Sequence, residues 1–227
     1  MKVAVTTSSD RFDEVAGLFR SRGLEPVELP CIAIEVAPPD ELEIIRDLAA
    51  HADRILVTSA RAVRVVWPGM VPAVPFLSVG SASSAAIRNA GGTVDVEGTD
   101  GAIGLVELFD PSDLRIVFPH AAGADPAVAK TLRARGATVD ARVAYRSVPI
   151  APDDGPVDAV AFASPSAVEG WLLSRSLDDV TVVAIGATTA AAVLARGGSA
   201  DIVADRPGFE EMAAALHHWS AKEARGA

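Results

Sequence analysis

Short apolar runs alternate with stretches of helical periodicity along the whole chain. Val3–Thr6 reads as a short buried strand. Phe12, Val15, Ala16 and Phe19 then recur at the spacing of one helix face, predicting a helix over 12–22 that Gly23 closes. Leu24–Leu29 is extended and runs into Pro30. A helix over 40–50 turns Leu42, Ile45 and Leu48 inward, Arg54–Val57 is a strand, and a helix from Ala60 to Val66 stops before Pro68. Phe76–Val79 is a strand, 82–90 a helix ended by Gly91-Gly92, Thr93–Val96 a strand and 102–109 a helix. Arg115–Phe118 begins the next strand, 124–134 the next helix, and Thr138–Ser147 is a long extended stretch. Residues 151–156, rich in Pro, Asp and Gly, read as a boundary. The alternation resumes with strand Ala159–Phe162, helix 165–173, strand Thr181–Ile185, helix 188–196, strand Asp201–Val203 and helix 209–219. The tail Lys222–Ala227 is expected to fray.

Strands alternating with helices of about ten residues predict parallel sheets wrapped by helices. A coarse internal repeat sharpens this. Thr58-Ser59-Ala60-Arg61-Ala62-Val63 is echoed by Ala163-Ser164-Pro165-Ser166-Ala167-Val168. Val79-Gly80-Ser81-Ala82-Ser83-Ser84 is echoed by Ile185-Gly186-Ala187-Thr188-Thr189-Ala190, and Gly91-Gly92 by Gly197-Gly198, always at an offset of 105 or 106. Arg22-Gly23 and Arg135-Gly136 match at an offset of 113. Two similar α/β domains are expected, flavodoxin-like or Rossmann-like, with function in a cleft between them.

Composition narrows the partners. With 20 basic against 30 acidic residues, and no Lys/Arg cluster, the 227-residue chain should repel nucleic acid and anionic membrane. No apolar run approaches the ~20 residues of a membrane helix. No signal-type segment precedes the first strand, and Cys31, the only cysteine, has no disulfide partner. The expectation is a soluble cytoplasmic monomer.

Candidate chemistry collects in the turns that follow strands. These are Thr6-Thr7-Ser8-Ser9, Thr58-Ser59, Gly80–Ser84, Pro119–Gly123, Ser164–Ser166 and Gly186–Thr189. Open α/β sheets bind ligands at that edge, where helix N-termini present free N–H groups to anions. Ser and Thr also cap helices there, so each turn has a purely structural reading. Neither Gly80 nor Gly186 belongs to a full dinucleotide fingerprint, and no Walker lysine is present, so NAD and ATP are not expected. His51, His120 and His217-His218 lack the spacing of a metal site, and no cofactor is expected. Tyr145, the only tyrosine, lies on the long strand. It is either a half-buried strand aromatic or a phenol projecting into the cleft. In a regular strand Arg142 and Arg146 face away from it. Arg11 and Arg61, each following a cleft turn, are better placed to meet a carboxylate.

These residues, in this order, resemble the uroporphyrinogen-III synthase family over nearly the whole chain. The match runs through Thr58-Ser59 with Ala62-Val63, Val79-Gly80 with Ser83, Arg135-Gly136, Tyr145, Ser164-Pro165-Ser166 with Val168, and Ile185–Ala190. The resemblance implies a discontinuous first domain (1–30 and 150–227), a second domain (36–140), and linker strands at 31–35 and 141–149. It implies a cofactor-free cyclising lyase of tetrapyrrole and heme biosynthesis. Such an enzyme closes hydroxymethylbilane to uroporphyrinogen III, with inversion of the last pyrrole ring and loss of water. Tyr145 would assist departure of the hydroxyl. Thr7, Arg11, Thr58, Ser59, Gly80, Ser83, His120, Ser164, Ser166, Gly186, Thr188 and Thr189 would line the substrate cleft. The substrate's eight carboxylates would meet backbone N–H, Ser and Thr rather than a basic patch. This chain departs from the family pattern in four places. Arg11 stands displaced behind Thr7-Ser8-Ser9-Asp10, Ser83 and Ala163 replace threonines, and the Pro119–Gly123 loop lacks an arginine.

A second reading is a two-domain binding or sensor protein that holds a small anionic ligand or a tetrapyrrole without catalysis.

Overall fold

The computed structural model describes residues 1–226, with side chains through Lys222. The chain forms two compact units. One combines residues 1–34 with 147 onward, and the other is Glu35–Arg146.

The first unit is built from β1 (Lys2–Val5), α1 (Phe12–Arg20), β2 (Glu25–Glu28), β9 (Ala159–Phe162), α7 (Pro165–Trp171), β10 (Thr181–Ala184), α8 (Ala187–Ala195), β11 (Ile202–Val203) and α9 (Phe209–Gly226). Its sheet runs β2-β1-β9-β10-β11, with parallel pairing throughout. Both faces are covered, which is why these strands read as unbroken apolar runs. Val3, Val5, Ala159 and Ala161 turn to one face and pack with Phe19, Met212 and Leu216 of α1 and α9. Ala4, Val160 and Phe162 turn to the other, against Val168 and Trp171 of α7 and Val193 of α8.

The second unit contains α2 (Pro39–Ala50), β4 (Arg54–Val57), α3 (Ala60–Val66), β5 (Phe76–Val79), α4 (Ser81–Asn89), β6 (Val94–Gly98), α5 (Gly101–Val106), β7 (Arg115–Ala121) and α6 (Ala127–Ala134). β3 (Ile32–Val36) and β8 (Thr138–Pro149) carry the chain between the units. The sheet order is β3-β8-β7-β4-β5-β6. The amide of Ala37 donates to Ala144 and that of Ile150 to Cys31, so β3 runs opposite to β8. The other pairs are parallel. Leu56, Leu77, Ile116 and Phe118 pack on one face against Leu105, Val128 and Leu132 of α5 and α6.

The two sheets have the same spatial order once the chain is cut at different points. β9, β10 and β11 correspond to β4, β5 and β6, and β1 and β2 correspond to β7 and β8. In chain order the first sheet reads 2-1-3-4-5 and the second, leaving out β3, 3-2-1-4-5. Both are orders of doubly wound sheets, whose ligand crevice opens where the order reverses. In the first unit that point lies between β1 and β9, and in the second between β7 and β4. The second offset of the sequence repeat has the same origin. Gly23 and Gly136 end equivalent helices with φ of +73° and +95°, a conformation glycine adopts without a Cβ clash.

Four expectations need correction. The Pro/Asp/Gly segment 151–156 is no boundary. It lies inside the first unit, where Arg175 donates to the carbonyls of Asp153 and Gly155. The tail does not fray at Lys222, because α9 continues to Gly226, and Ala227 lies outside the described residues. Pro119, His120 and Ala121 do not form a loop but extend β7. β4 pairs with β7 only at Ile116 and Val117, so beyond Val117 β7 pairs with β8 alone, and a proline is tolerated at such a local edge. Finally, β8 is not regular. Its register against β7 shifts between His120↔Val143 and Ala121↔Tyr145, leaving Ala144 as an extra residue.

Candidate active site

That irregularity in β8 sets the position of Tyr145. Its ring is nearly buried, 8% exposed, rather than half-buried. Its hydroxyl lies 2.9 Å from Ser59 Oγ, at the carboxyl edge of β4. Ser59 is the N-cap of α3, and its Oγ accepts the Ala62 amide at 3.2 Å. The Arg61 guanidinium lies over the Tyr145 ring, 5.9 Å from its centroid. Tyr145, Ser59 and Arg61 thus converge at the crevice side of β4 and β7. In a regular strand Arg142 and Arg146 would point away from this tyrosine. Both nevertheless line a groove of about 540 Å³ together with Tyr145, Arg142 after the extra Ala144 shifts it relative to Tyr145. Each is paired there, Arg142 with Glu41 and Arg146 with Glu35, both at 3.8 Å.

The remaining candidates divide by what their polar atoms already do. Thr58 and Gly80 are half-buried at the same edge, beside β4 and β5. Gly80 begins α4 with φ +76°, a conformation that favours glycine. Ser83 and Thr189 occupy equivalent places in the repeat and both are buried, at 3% and 2% exposure. Each starts an i, i+4 stripe into the core, Ser83 with Ile87 and Thr189 with Val193. That stripe was legible in the sequence as helical spacing and removes both hydroxyls from the surface. Thr188, one position earlier, is exposed. His120 packs its ring 4.9 Å from Phe118 and places Nδ1 2.8 Å from the Ala121 carbonyl oxygen.

In the first unit Ser164 caps α7 as Ser59 caps α3, accepting the Ala167 amide at 3.2 Å. Ser166 and Gly186 are half-buried beside it in sequence and at the start of α8 respectively. Thr6 donates to the Ala161 carbonyl across the β1–β9 switch point, and Thr7 is 5% exposed. Arg11 is committed to Glu14 at 3.1 Å and to the face of Phe209 at 5.1 Å. Among the described residues, no group of three or more His, Cys, Asp or Glu side chains could hold a metal ion.

A family model described as Uroporphyrinogen-III synthase HemD matches residues 13–214. The chain belongs to the uroporphyrinogen-III synthase family. Solved structures agree with the fold. The chain is similar to a mutant uroporphyrinogen III synthase from the extremely thermophilic bacterium Thermus thermophilus, with 21% identity over 98% of this chain and 99% of that one and a TM-score of 0.62. It is also similar to the uroporphyrinogen-III synthetase of Helicobacter pylori, with 13% identity over 88% of this chain and 93% of that one and a TM-score of 0.62. The search of curated proteins finds no match. Membership of this family makes the chain an enzyme of tetrapyrrole and heme biosynthesis, a cyclising lyase acting on a linear tetrapyrrole. Among the described residues no helix is long and apolar enough to cross a membrane.

Proposed function

We propose that this chain closes hydroxymethylbilane to uroporphyrinogen III and that Tyr145 supplies the proton with which the hydroxyl departs. The observation that carries the role of Tyr145 is its hydroxyl, fixed 2.9 Å from Ser59 Oγ at the crevice side of β4. The hydroxyl of the substrate takes the phenol proton, the C–O bond breaks, and water leaves. The terminal pyrrole nitrogen gives up its proton as the azafulvene forms. The substituted α-carbon of the last ring attacks the methylene carbon, and the azafulvene nitrogen is reprotonated. The bond from that α-carbon to its old bridging carbon then breaks. The ring's free α-carbon bonds to the bridging carbon and loses its proton, which restores the phenol. One water is lost and no net proton is consumed.

The reaction needs no redox partner. The main contribution is to hold a flexible chain in the one geometry that closes with its last ring inverted. Orientation of this kind supplies effective molarities of roughly 10⁵ M and above. The protein carries a net charge of −10, so long-range attraction does not gather a substrate with eight carboxylates. Directed N–H groups do so instead. The nine-residue helix α4 begins at Gly80, beside β4, with its first amides at this edge. Thr58 and the exposed Thr188 are the hydroxyls proposed to meet carboxylates. Arg142 and Arg146 line the groove with Tyr145 and stand beside the same substrate.

We further infer a cytoplasmic monomer. Its one cysteine is a buried thiol, as a reducing compartment maintains. Light scattering of the purified protein tests the monomer.

The deciding experiment supplies fresh hydroxymethylbilane and resolves the porphyrinogen isomers. Isomer III above the spontaneous isomer I background is expected. Tetrapyrrole binding with only isomer I formed would favour the binding-protein reading.

A further inference from the structure

We propose that Ser59 is a positioning residue that donates its own proton to the Tyr145 oxygen, so that the phenol proton is turned outward to the substrate. The inference rests on the assignment of Tyr145 as the proton donor and deepens it. A serine hydroxyl has one hydrogen and two lone pairs. One lone pair of Ser59 is taken by the Ala62 amide. Across the 2.9 Å contact either hydroxyl can be the donor. If Tyr145 donates, its proton is locked inward and it cannot act as an acid. If Ser59 donates, the phenol proton is free.

One feature favours the second arrangement. An oxygen already accepting an N–H is polarised into a better donor and a poorer second acceptor. The positive charge of Arg61 lies over the ring face, 5.9 Å from its centroid. The same two groups are in place when the proton has gone. The phenolate then keeps a hydrogen bond from Ser59 and the nearby charge of Arg61, with no rearrangement needed as the negative charge develops. Ser59 therefore serves the helix and the acid at once. Its equivalent, Ser164, caps α7 in the same way, but the residue corresponding to Tyr145 is Ile32, so the device exists in one unit only.

The test exploits Tyr145 being the single tyrosine of the chain. Carbon-13 placed at its Cζ gives one resonance that reports the hydrogen bonding of the phenol. Ser59→Asp keeps a good helix cap but offers only acceptors, so it forces Tyr145 to donate inward. Ser59→Thr keeps the hydroxyl. In Ser59→Asp we expect a moved resonance, an unchanged KM, and a kcat lowered at least about tenfold, to the level of Tyr145→Phe. Ser59→Thr should keep both resonance and kcat. If Ser59→Asp fails to fold, Ser59→Gly, a tolerated cap without a hydroxyl, should move the resonance and lower kcat by less than Tyr145→Phe does. The phenol then keeps a free proton but loses the hydrogen bond to its oxygen. An unmoved resonance in Ser59→Gly overturns the proposal. A folded Ser59→Asp with the wild-type resonance or wild-type kcat overturns the proposal. So does a folded Ser59→Thr that loses kcat as far as Ser59→Asp. If Tyr145→Phe keeps full kcat, the proton-donor assignment falls by itself, and the resonance still decides which hydroxyl donates.

Discussion

The carboxylate of Asp158 accepts the Lys2 amide at 2.6 Å, tying the amino end of β9 to that of β1. In the other unit Asp53 accepts the Arg115 amide at 2.7 Å, tying β4 to β7. Positions 53 and 158 stand 105 apart, and 2 and 115 stand 113 apart, the two offsets of the sequence repeat. The duplication therefore extends to single hydrogen bonds, and each clamp holds the strand pair whose far end carries the crevice. Asp158→Ala and Asp53→Ala should each cost about 1.5 kcal/mol, the low end for a hydrogen bond to a charged group because both carboxylates are exposed, seen as a lower urea midpoint at an unchanged slope.

Gly170 marks the closest approach of α7 to the connecting strands. A Cβ there would meet the Cys31 carbonyl oxygen and lie 2.7 Å from that of Ile150, both rigid backbone. Gly170→Ala should cost about 3 kcal/mol or prevent folding. Gly23→Ala makes a useful comparison, because its surroundings are open and only its φ of +73° resists the change. About 1 kcal/mol is expected there. Thermal unfolding of the two variants side by side checks the difference.

Cys31 is fully buried, and burial pushes its thiol from 9.0 up to about 12, against a smaller opposite effect of Arg175. The folded chain thus keeps a proton that the unfolded chain releases. Stability from this group is fully present below about pH 9 and is lost as pH rises from 9 towards 12, by at most about 1.4 kcal/mol per pH unit. Urea unfolding of wild type and Cys31→Ala at about pH 8 and about pH 10 should show the loss in wild type only. A thiol reagent near neutral pH should modify Cys31 only after denaturant is added.

Thr188 and Thr189 are neighbours with opposite environments. Thr188 is exposed at the start of α8, and Thr189 is 2% exposed on its inner stripe. Thr188→Val should raise KM about tenfold with kcat little changed, the effect of one lost hydrogen bond to a carboxylate. Thr189→Val should leave KM as it is and alter only the unfolding midpoint. Steady-state kinetics with isomer analysis separates the two.

Tyr145→Phe keeps the ring and the Arg61 contact and removes the hydroxyl. Turnover should fall about tenfold to a hundredfold without vanishing, because orientation of the substrate survives. Unchanged turnover in a stopped assay that counts isomer III removes Tyr145 from the mechanism.

Much of the fold was written locally. Val3-Ala4-Val5 and Ala159–Phe162 announce strands because each residue on them is buried on one face or the other. The i, i+4 pairs Ser83–Ile87 and Thr189–Val193 announce helix faces, and read with care they also predict that those two hydroxyls turn inward. The repeat even discloses the second offset, since Gly23 and Gly136 each need the same left-handed backbone.

Three features arose only in the folded chain. The first is that β1 and β2 complete the sheet begun by β9, which depends on strand pairings between residues some 155 positions apart. The second is the register shift at Ala144. It arises where β7 outlasts β4, a relation between two strand lengths and not a property of either segment. The third is the meeting of Tyr145 with Ser59 across 86 positions. Periodicity reports which face of an element is wet or dry, because burial is decided residue by residue. It carries no information on which distant element lies alongside. The packing of the whole sheet decides that, and with it the partner of the phenol.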